Sequence, residues 1–329
     1  MKTLVTGGCG FIGSHVADAF VGAGHEVVIV DNLSSGILAN KNPQARFYRV
    51  DICMPELEDV IHDESPEIVI HHAAQISVPL SVKDPLADAE VNIKGTLRLL
   101  ELSKKHSVKR FIFASTGGAI YGEATVVPTP EEYVPQPSSP YAISKLSCEH
   151  YIRFYQKQHN LFPVILRYSN VYGPRQIPHG EAGVVAIFTE ALLEKRLPIL
   201  NHFPDEPEGM VRDYCFVKDI ASANLLAAST SKPGTYNIGT ARGTTTRQLY
   251  EGILKALRVK DIDLSEVYDH PKTADAREGD IKVSTLNIAS AQQKLGFIPA
   301  FQLHEGLAQT VEWYLARQKA IGDQQSAKT

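Results

Sequence analysis

The chain has 329 residues, 43% hydrophobic and 21% charged, with 37 acidic against 33 basic side chains. These are proportions of a folded globular protein of one large or two modest domains, which excludes disordered and fibrous classes. A net charge of −4 gives no general pull toward nucleic acid or an anionic membrane, and no apolar run approaches a membrane-spanning length.

In chain order, strands are predicted at 2–6, 26–30, 46–50, 67–71, 110–115 and 163–169, with helices near 11–23, 54–63, 84–106 and 140–159. The strands are continuously apolar rather than alternating, as expected when helices cover both faces of a sheet. Repeated βαβ units imply an α/β fold, a Rossmann-type doubly wound parallel sheet, over residues 1–170. Past 171 the pattern loosens into helices at 183–195, 219–229, 245–258, 286–294 and 302–318 between loops rich in Pro and Gly. Residues 200–210 read as an acidic, proline-broken loop and 320–329 as a frayed tail. Residues 171–329 therefore read as a smaller, mixed α/β region closing over a cleft, with about 213–230 returning to the large sheet. The four cysteines (Cys9, Cys53, Cys148, Cys215) lie far apart, with no CxxC and no metal-like spacing. That pattern, and a strand beginning at once at the N-terminus with no signal peptide, predict a reduced cytoplasmic protein without a metal.

The first motif is LVTGGCGFIGSH at 4–15, which sets Gly7, Gly10 and Gly13 between the first strand and the first helix. Glycine permits the tight turn, lets a pyrophosphate touch backbone, and lets helix and strand pack closely. The helix N-terminus adds free N–H groups and a positive dipole end. The next strand ends in Asp31, 18 residues after Gly13. A carboxylate there accepts ribose hydroxyls and repels a 2′-phosphate, so NAD is expected over NADP.

The fifth strand runs into FASTGGAIYGE at 113–123, where Ser115 and Thr116 meet two glycines. The following helix, PYAISK, has Ser138 and Ser139 as cap candidates, Pro140 in its first turn, and Tyr141 and Lys145 four residues apart on one face. An ammonium beside a phenol favours phenolate, which predicts a lowered tyrosine pKa and a general base for an alcohol. The YxxxK spacing also occurs at Tyr214–Lys218, which reads as a strand, and at Tyr268–Lys272, where Pro271 opposes a helix.

Taken with HHAAQISVPLSVKDPLADAEVNIKGTLRLLE, RYSNVYGPRQ, VRDYCFVKDIA and ADAREGDIKVS, these motifs resemble the extended short-chain dehydrogenase/reductases, and within them the UDP-glucose (UDP-galactose) 4-epimerase family. The resemblance covers nearly the whole chain. It implies NAD contacts from Gly7, Gly10, Phe11, Ile12, Asp31, Asn32, Asp51, Ile52, Ala73, Ala74, Gln75, Asn92, Lys145 and Tyr168. It implies sugar-nucleotide contacts from Asn170, Arg212, Arg277 and Asp280, with the two arginines clamping the diphosphate. Catalysis would fall to Tyr141, Lys145 and Thr116, the last two residues also meeting cofactor and substrate respectively, as Tyr141 meets the substrate. Thr116 aligns when counting from Phe113; the stretch carries one residue more than the commoner family pattern, and Ser115 is the alternative.

The resemblance implies an isomerase of carbohydrate and galactose metabolism, a homodimer formed through helices like 84–106 and 140–159, that inverts carbon 4 of a UDP-hexose through a 4-keto sugar. Where dehydratases of this fold keep acidic residues, this chain has Gly117, Gly118 and Ala119, which favours epimerisation. Alternatives are a UDP-GlcNAc/GalNAc 4-epimerase, for whose N-acetyl group the small Ser284 would leave room, a UDP-uronate 4-epimerase, and a non-catalytic NAD-binding sensor.

Overall fold

The apolar runs of the N-terminal half form one parallel sheet in the computed structural model, which describes residues 1–178, 183–277 and 279–326. In chain order, β1 (Lys2–Thr6) leads to α1 (Phe11–Gly22), β2 (Glu26–Val30), β3 (Arg46–Tyr48), α2 (Leu57–Glu64) and β4 (Ile68–His71). Two short helices, α3 (Val78–Lys83) and α4 (Pro85–Ala89), pass through a π-helical turn at Glu90–Lys94 into α5 (Gly95–Lys105). Next come β5 (Arg110–Thr116), the four-residue α6 (Gly117–Ile120), the long α7 (Pro140–His159) and β6 (Phe162–Tyr168). The remainder comprises β7 (Asn170–Tyr172), α8 (Val184–Leu193), β8 (Ile199–His202), β9 (Val211–Phe216), α9 (Val217–Ser229) and β10 (Gly234–Ile238). It ends with β11 (Gly243–Thr245), α10 (Thr246–Arg258), β12 (Lys272–Asp275), β13 (Val283–Ser284), α11 (Ala289–Leu295) and α12 (Leu303–Ser326).

The large sheet has the order β10-β6-β5-β4-β1-β2-β3, and every neighbouring pair is parallel. Strand order reverses between β1 and β4, the switch point at which doubly wound sheets open a ligand crevice. Successive side chains of a strand point to opposite faces. Val5, Ile29, Ile70 and Ile112 therefore pack with α1 and α9, while Leu4, Val28, Val69 and Phe111 pack with α2, α5 and α7. Double coverage is why these strands read as unbroken apolar runs.

The C-terminal region contains more strand than its sequence pattern suggests. β9 pairs with β7, β11 and β13 in a small sheet, and β8 pairs with β12. A third core, including Tyr172, Phe188, Phe216, Leu249, Ile253 and Leu307, joins this sheet to α8, α10 and α12. The large sheet gains its seventh strand from β10, in a GTYNI segment whose Gly and Asn mask its strand character. The 213–230 segment supplies no strand to that sheet; it gives the end of β9 and then α9, whose Ile220, Ala223 and Ala227 pack on the sheet beside α1.

Three other expectations are corrected. The single helix predicted at 84–106 starts as expected, with Asp84 capping Pro85, but the π-helical turn at Glu90–Lys94 interrupts it. Residues 200–202 of the acidic stretch belong to β8, and the chain turns only from Phe203. At the C-terminus α12 continues to Ser326, well beyond the predicted end at 318, while residues 327–329 lie outside the described part.

Candidate active site

A cavity of about 270 Å³ lies over the C-terminal ends of the strands at the switch point. The glycine loop forms its floor. Gly7 has φ +68°, and a Cβ there would come within 2.7 Å of the Ala73 backbone nitrogen; a Cβ on Gly13 would come within 2.2 Å of the Gly7 carbonyl oxygen. The close approach of loop, helix and β4 thus requires glycine at both positions. Gly10 is the N-cap of α1 and offers no side-chain acceptor, so the first-turn N–H groups keep their capacity for an anion.

Asp31 closes one end of the cavity. Its carboxylate accepts from the Cys9 N–H (2.9 Å) and the Leu33 N–H (2.8 Å), which fixes its orientation. Asn32 donates to Asp51 (2.7 Å), and Asp51 in turn accepts from the Cys53 N–H. Phe11, Ile12, Asp51, Ile52, Ala73 and Ala74 line the wall. Gln75 and Asn92 stand behind it. Asn92, on the π-helical turn, accepts from the Gln75 N–H (3.0 Å), donates to the Gln75 carbonyl (3.0 Å) and donates to buried Asp88 (2.9 Å). These two residues hold the shape of the 73–75 turn rather than facing the cavity.

Tyr141, Lys145 and Tyr168 line the other end. Ser139 caps α7 by accepting from the Ala142 N–H, with Pro140 in the first turn, so Tyr141 and Lys145 sit one above the other on a firmly started helix. Of the three YxxxK copies, the other two are not helical: Tyr214 lies in β9 ahead of Lys218 in α9, and Tyr268 lies in a single 3-10 turn ahead of Lys272 in β12. Lys145 donates to the Ala114 carbonyl (3.0 Å), and its ammonium lies 4.9 Å from the centre of the Phe113 ring and 5.9 Å from that of Tyr141. Burial pushes Lys145 down to about 8, against the opposing effect of Cys148 and Asp88.

The Tyr141 phenol is pushed up, first by burial and then by the Asp88 carboxylate. The lowered tyrosine pKa expected from the lysine is therefore not what the protein alone produces. Both groups share a low-dielectric site, where desolvation opposes charge on each.

Ser115 and Thr116 are separated by strand alternation. The Ser115 hydroxyl donates to Glu149 (2.7 Å), and Glu149 is clamped by Arg167 through two bonds of 2.9 and 2.7 Å. Arg167 also donates to the Tyr121 hydroxyl (2.8 Å), which donates to Asn237 (2.8 Å). Burial opposes the Arg167 charge, but the bonds to Glu149 hold its pKa above the usual arginine value. Thr116 ends β5 opposite Tyr168, and its hydroxyl makes no cap bond to α6. Ser115 contributes to the cavity wall, whereas Thr116 lies just beyond it.

The expected sugar-nucleotide residues lie outside this wall. Asn170, on β7, has a buried Oδ1 without a partner among the described residues, set so close to Gly118 that a Cβ there would approach it to 3.3 Å. Arg212 is paired with Ser284 in the small sheet and donates to the carbonyls of Val211 (3.0 Å) and Lys282 (3.3 Å). Burial lowers its pKa, with Tyr214 and Asp280 opposing. Asp280 accepts from the Arg277 backbone N–H (2.8 Å), and the Arg277 side chain is exposed. Sequence reasoning assigned no role to His72, Asp88, Glu149 or Arg167. The HHAA stretch was the available signal for His72; the other three are charges inside helices or strands with no local mark of function.

The family profile described as NAD dependent epimerase/dehydratase matches residues 3–239. Among solved structures, a UDP-glucose 4-epimerase of Thermotoga maritima with UDP-glucose is 47% identical, with a TM-score of 0.89 over 97% of this chain and 100% of that one. The Thermus thermophilus UDP-glucose 4-epimerase in complex with NAD is 42% identical, with a TM-score of 0.87 over 95% and 99% of the two chains. A UDP-glucose 4-epimerase of Mycolicibacterium smegmatis is 40% identical over 320 residues, spanning 95% of this chain and 98% of the relative.

Proposed function

From the premise that the chain belongs to the NAD-dependent epimerase/dehydratase family, we propose that it is a UDP-glucose 4-epimerase that interconverts UDP-glucose and UDP-galactose using NAD. The observation that carries this reading is one cavity with an oriented ribose-end carboxylate, Asp31, at one extremity and the Tyr141–Lys145 pair at the other. The residues fit the cofactor: uncapped helix N–H groups suit a pyrophosphate, and Asp31 suits an unphosphorylated ribose. When bound, NAD supplies a reversible hydride acceptor and a cationic ring.

The protein's part is to position groups and move one proton. Tyr141 takes the proton from the sugar's 4-hydroxyl and later returns it to the 4-keto sugar. Burial disfavours phenolate, so the charge of Lys145 acts together with that of the cofactor in making Tyr141 a base. The Thr116 hydroxyl holds the sugar oxygen, since Ser115 is committed to Glu149. Arg212 and Arg277 hold the diphosphate while Asn170 and Asp280 contact the nucleotide, which leaves the sugar free to present either face of C4. Gly117, Gly118 and Ala119 offer no acid or base for elimination, so the keto sugar is reduced again rather than dehydrated.

The assembly we propose is a homodimer, supported by the exposed Ile143, Tyr151 and Phe154 along one stripe of α7. We place the enzyme in the cytoplasm, in galactose metabolism; its four cysteines are free thiols, and no helix among the described residues is long and apolar enough to cross a membrane. The test is incubation with UDP-glucose, UDP-GlcNAc and UDP-glucuronate, products read by NMR, with no cofactor added. UDP-galactose is the expected product, and Tyr141→Phe is expected to remove at least about a thousandfold of the rate while cofactor stays bound. Turnover of none of the three by protein free of NAD would refute the reading.

A further inference from the structure

Two histidines stand side by side at the end of β4, and the protein satisfies them unequally. His71 is used at both nitrogens. Thr96 donates its proton to the Asn92 carbonyl (2.6 Å), so the 3.0 Å contact with His71 must come from His71 Nε2–H. His71 Nδ1 then accepts from Thr6 (2.8 Å).

His72 faces the α1–α9 side of the sheet and lines the cavity. Its Nε2 lies 3.1 Å from the Tyr168 hydroxyl, and the two rings stack with centroids 6.0 Å apart at 16°. The direction of that bond follows from the next residue along. Asn224 Nδ2 donates both to the Ile220 carbonyl (2.8 Å) and to the Tyr168 oxygen (2.8 Å). Turning the Asn224 amide over would set its oxygen against the Ile220 carbonyl, so its orientation is fixed. Tyr168 therefore accepts from Asn224 and gives its own proton to His72 Nε2. Burial raises the Tyr168 pKa, which keeps that proton in place, and lowers that of His72 to about 3, which keeps the ring neutral. A neutral ring that accepts at Nε2 carries its hydrogen at Nδ1. That Nδ1 is buried and has no partner among the described residues. An unpaired buried donor is a costly thing to keep.

We propose that the His72 side chain is a cofactor ligand, its Nδ1–H donating to an acceptor oxygen on the nicotinamide half of bound NAD. His72 sits at that end of the cavity: it stacks on Tyr168, the Lys145 charge acts on it, and Asp31 closes the opposite end. The Asn224–Tyr168 pair sets the tautomer, so Tyr168 acts on the cofactor partly through His72. The inference rests on NAD being the cofactor.

Nitrogen-15 NMR of the full chain labelled at histidine reads the tautomer directly. His72 is expected as Nδ1–H, with the Nδ1 resonance moving on addition of NAD and holding still on addition of ADP. The variant His72→Phe is expected to bind NAD about tenfold more weakly with ADP affinity unchanged. His72→Asn, which can present an amide N–H near the Nδ1 position, should recover most of that loss. An Nε2–H or doubly protonated ring, or an equal loss of affinity for NAD and ADP, would overturn the inference. If His72→Phe does not fold, the wild-type spectra decide alone. Wild-type protein that binds no NAD would instead overturn the cofactor reading beneath it.

Discussion

The two ends of the proposed reaction site are built by different means. At the cofactor end, side chains are buried and locked before any ligand arrives: Asp31 is held by two backbone N–H groups, Asn92 and Asp88 brace the 73–75 turn, and Arg167 grips Glu149 beneath β5. At the sugar-nucleotide end, short strand pairs carry Arg212 and Ser284, the Arg277 side chain is exposed, and the nearby loop is tied by the exposed Lys282–Asp205 pair (2.6 Å). Rigidity at the first end suits a cofactor held through every turnover. Looser construction at the second suits a sugar that must turn over between two hydride transfers.

That contrast can be broken. The largest expected effect is on stability, from Arg167→Met, which takes from the buried Glu149 carboxylate its two-bonded guanidinium and leaves it the half-exposed Arg153 (2.9 Å) and the Ser115 hydroxyl. Loss of one partner from a buried pair costs about 3–5 kcal/mol, which a denaturant titration would read. A loss below about 1 kcal/mol would mean the network is not what braces the catalytic strand.

Thr116→Val comes next, with an expected fall of about a hundredfold in kcat at unchanged stability. Ser115→Ala should do the reverse, lowering stability by about 1–2 kcal/mol through the lost bond to Glu149 while kcat changes little. The opposite pattern would move the catalytic hydroxyl to Ser115.

Acid should weaken the cofactor end in a predictable window. Burial holds His71 and His72 below their ordinary pKa, His72 at about 3. The unfolded chain takes up protons near pH 6.5 that the folded chain refuses, so their contribution is present above 6.5 and lost as pH falls. His72 should cost about 2 kcal/mol between pH 6.5 and 5, and His71 acts in the same direction. A melting temperature flat across that window would show that the rings ionise in place.

The smallest effect belongs to the exposed side. Arg277→Ala is expected to raise KM for UDP-glucose about tenfold with kcat and NAD retention unchanged. An equal fall in kcat would show that this arginine takes part beyond binding.

How much of this was readable in the sequence divides along the same line. The large sheet was legible because burial on two faces leaves unbroken apolar runs, and the glycine loop because its spacing answers to backbone contacts within a few residues. β10 was missed because GTYNI carries no β-branched run, and β7, β11 and β13 because two- and three-residue strands have no period to detect. The Tyr141–Lys145 pair was visible as an i, i+4 spacing after a capped start. Its electrostatics were not, since Asp88 reaches Tyr141 only through the folding of α4 against α7. Glu149 and Arg167 meet across 18 positions of sequence, and His72 gains its meaning from Tyr168 and Asn224, far along the chain. Such pairings are made by topology, and no local pattern announces them.

The central claim is that hydrogen leaves C4 and returns to it within one closed site, with Tyr141 handling only the proton. UDP-glucose deuterated at C4, incubated with the enzyme in ordinary water without added cofactor, tests it most directly by NMR and mass spectrometry. The expected result is UDP-galactose with deuterium retained at C4. Deuterium lost to solvent, or product formed at an unchanged rate by Tyr141→Phe, would contradict the account.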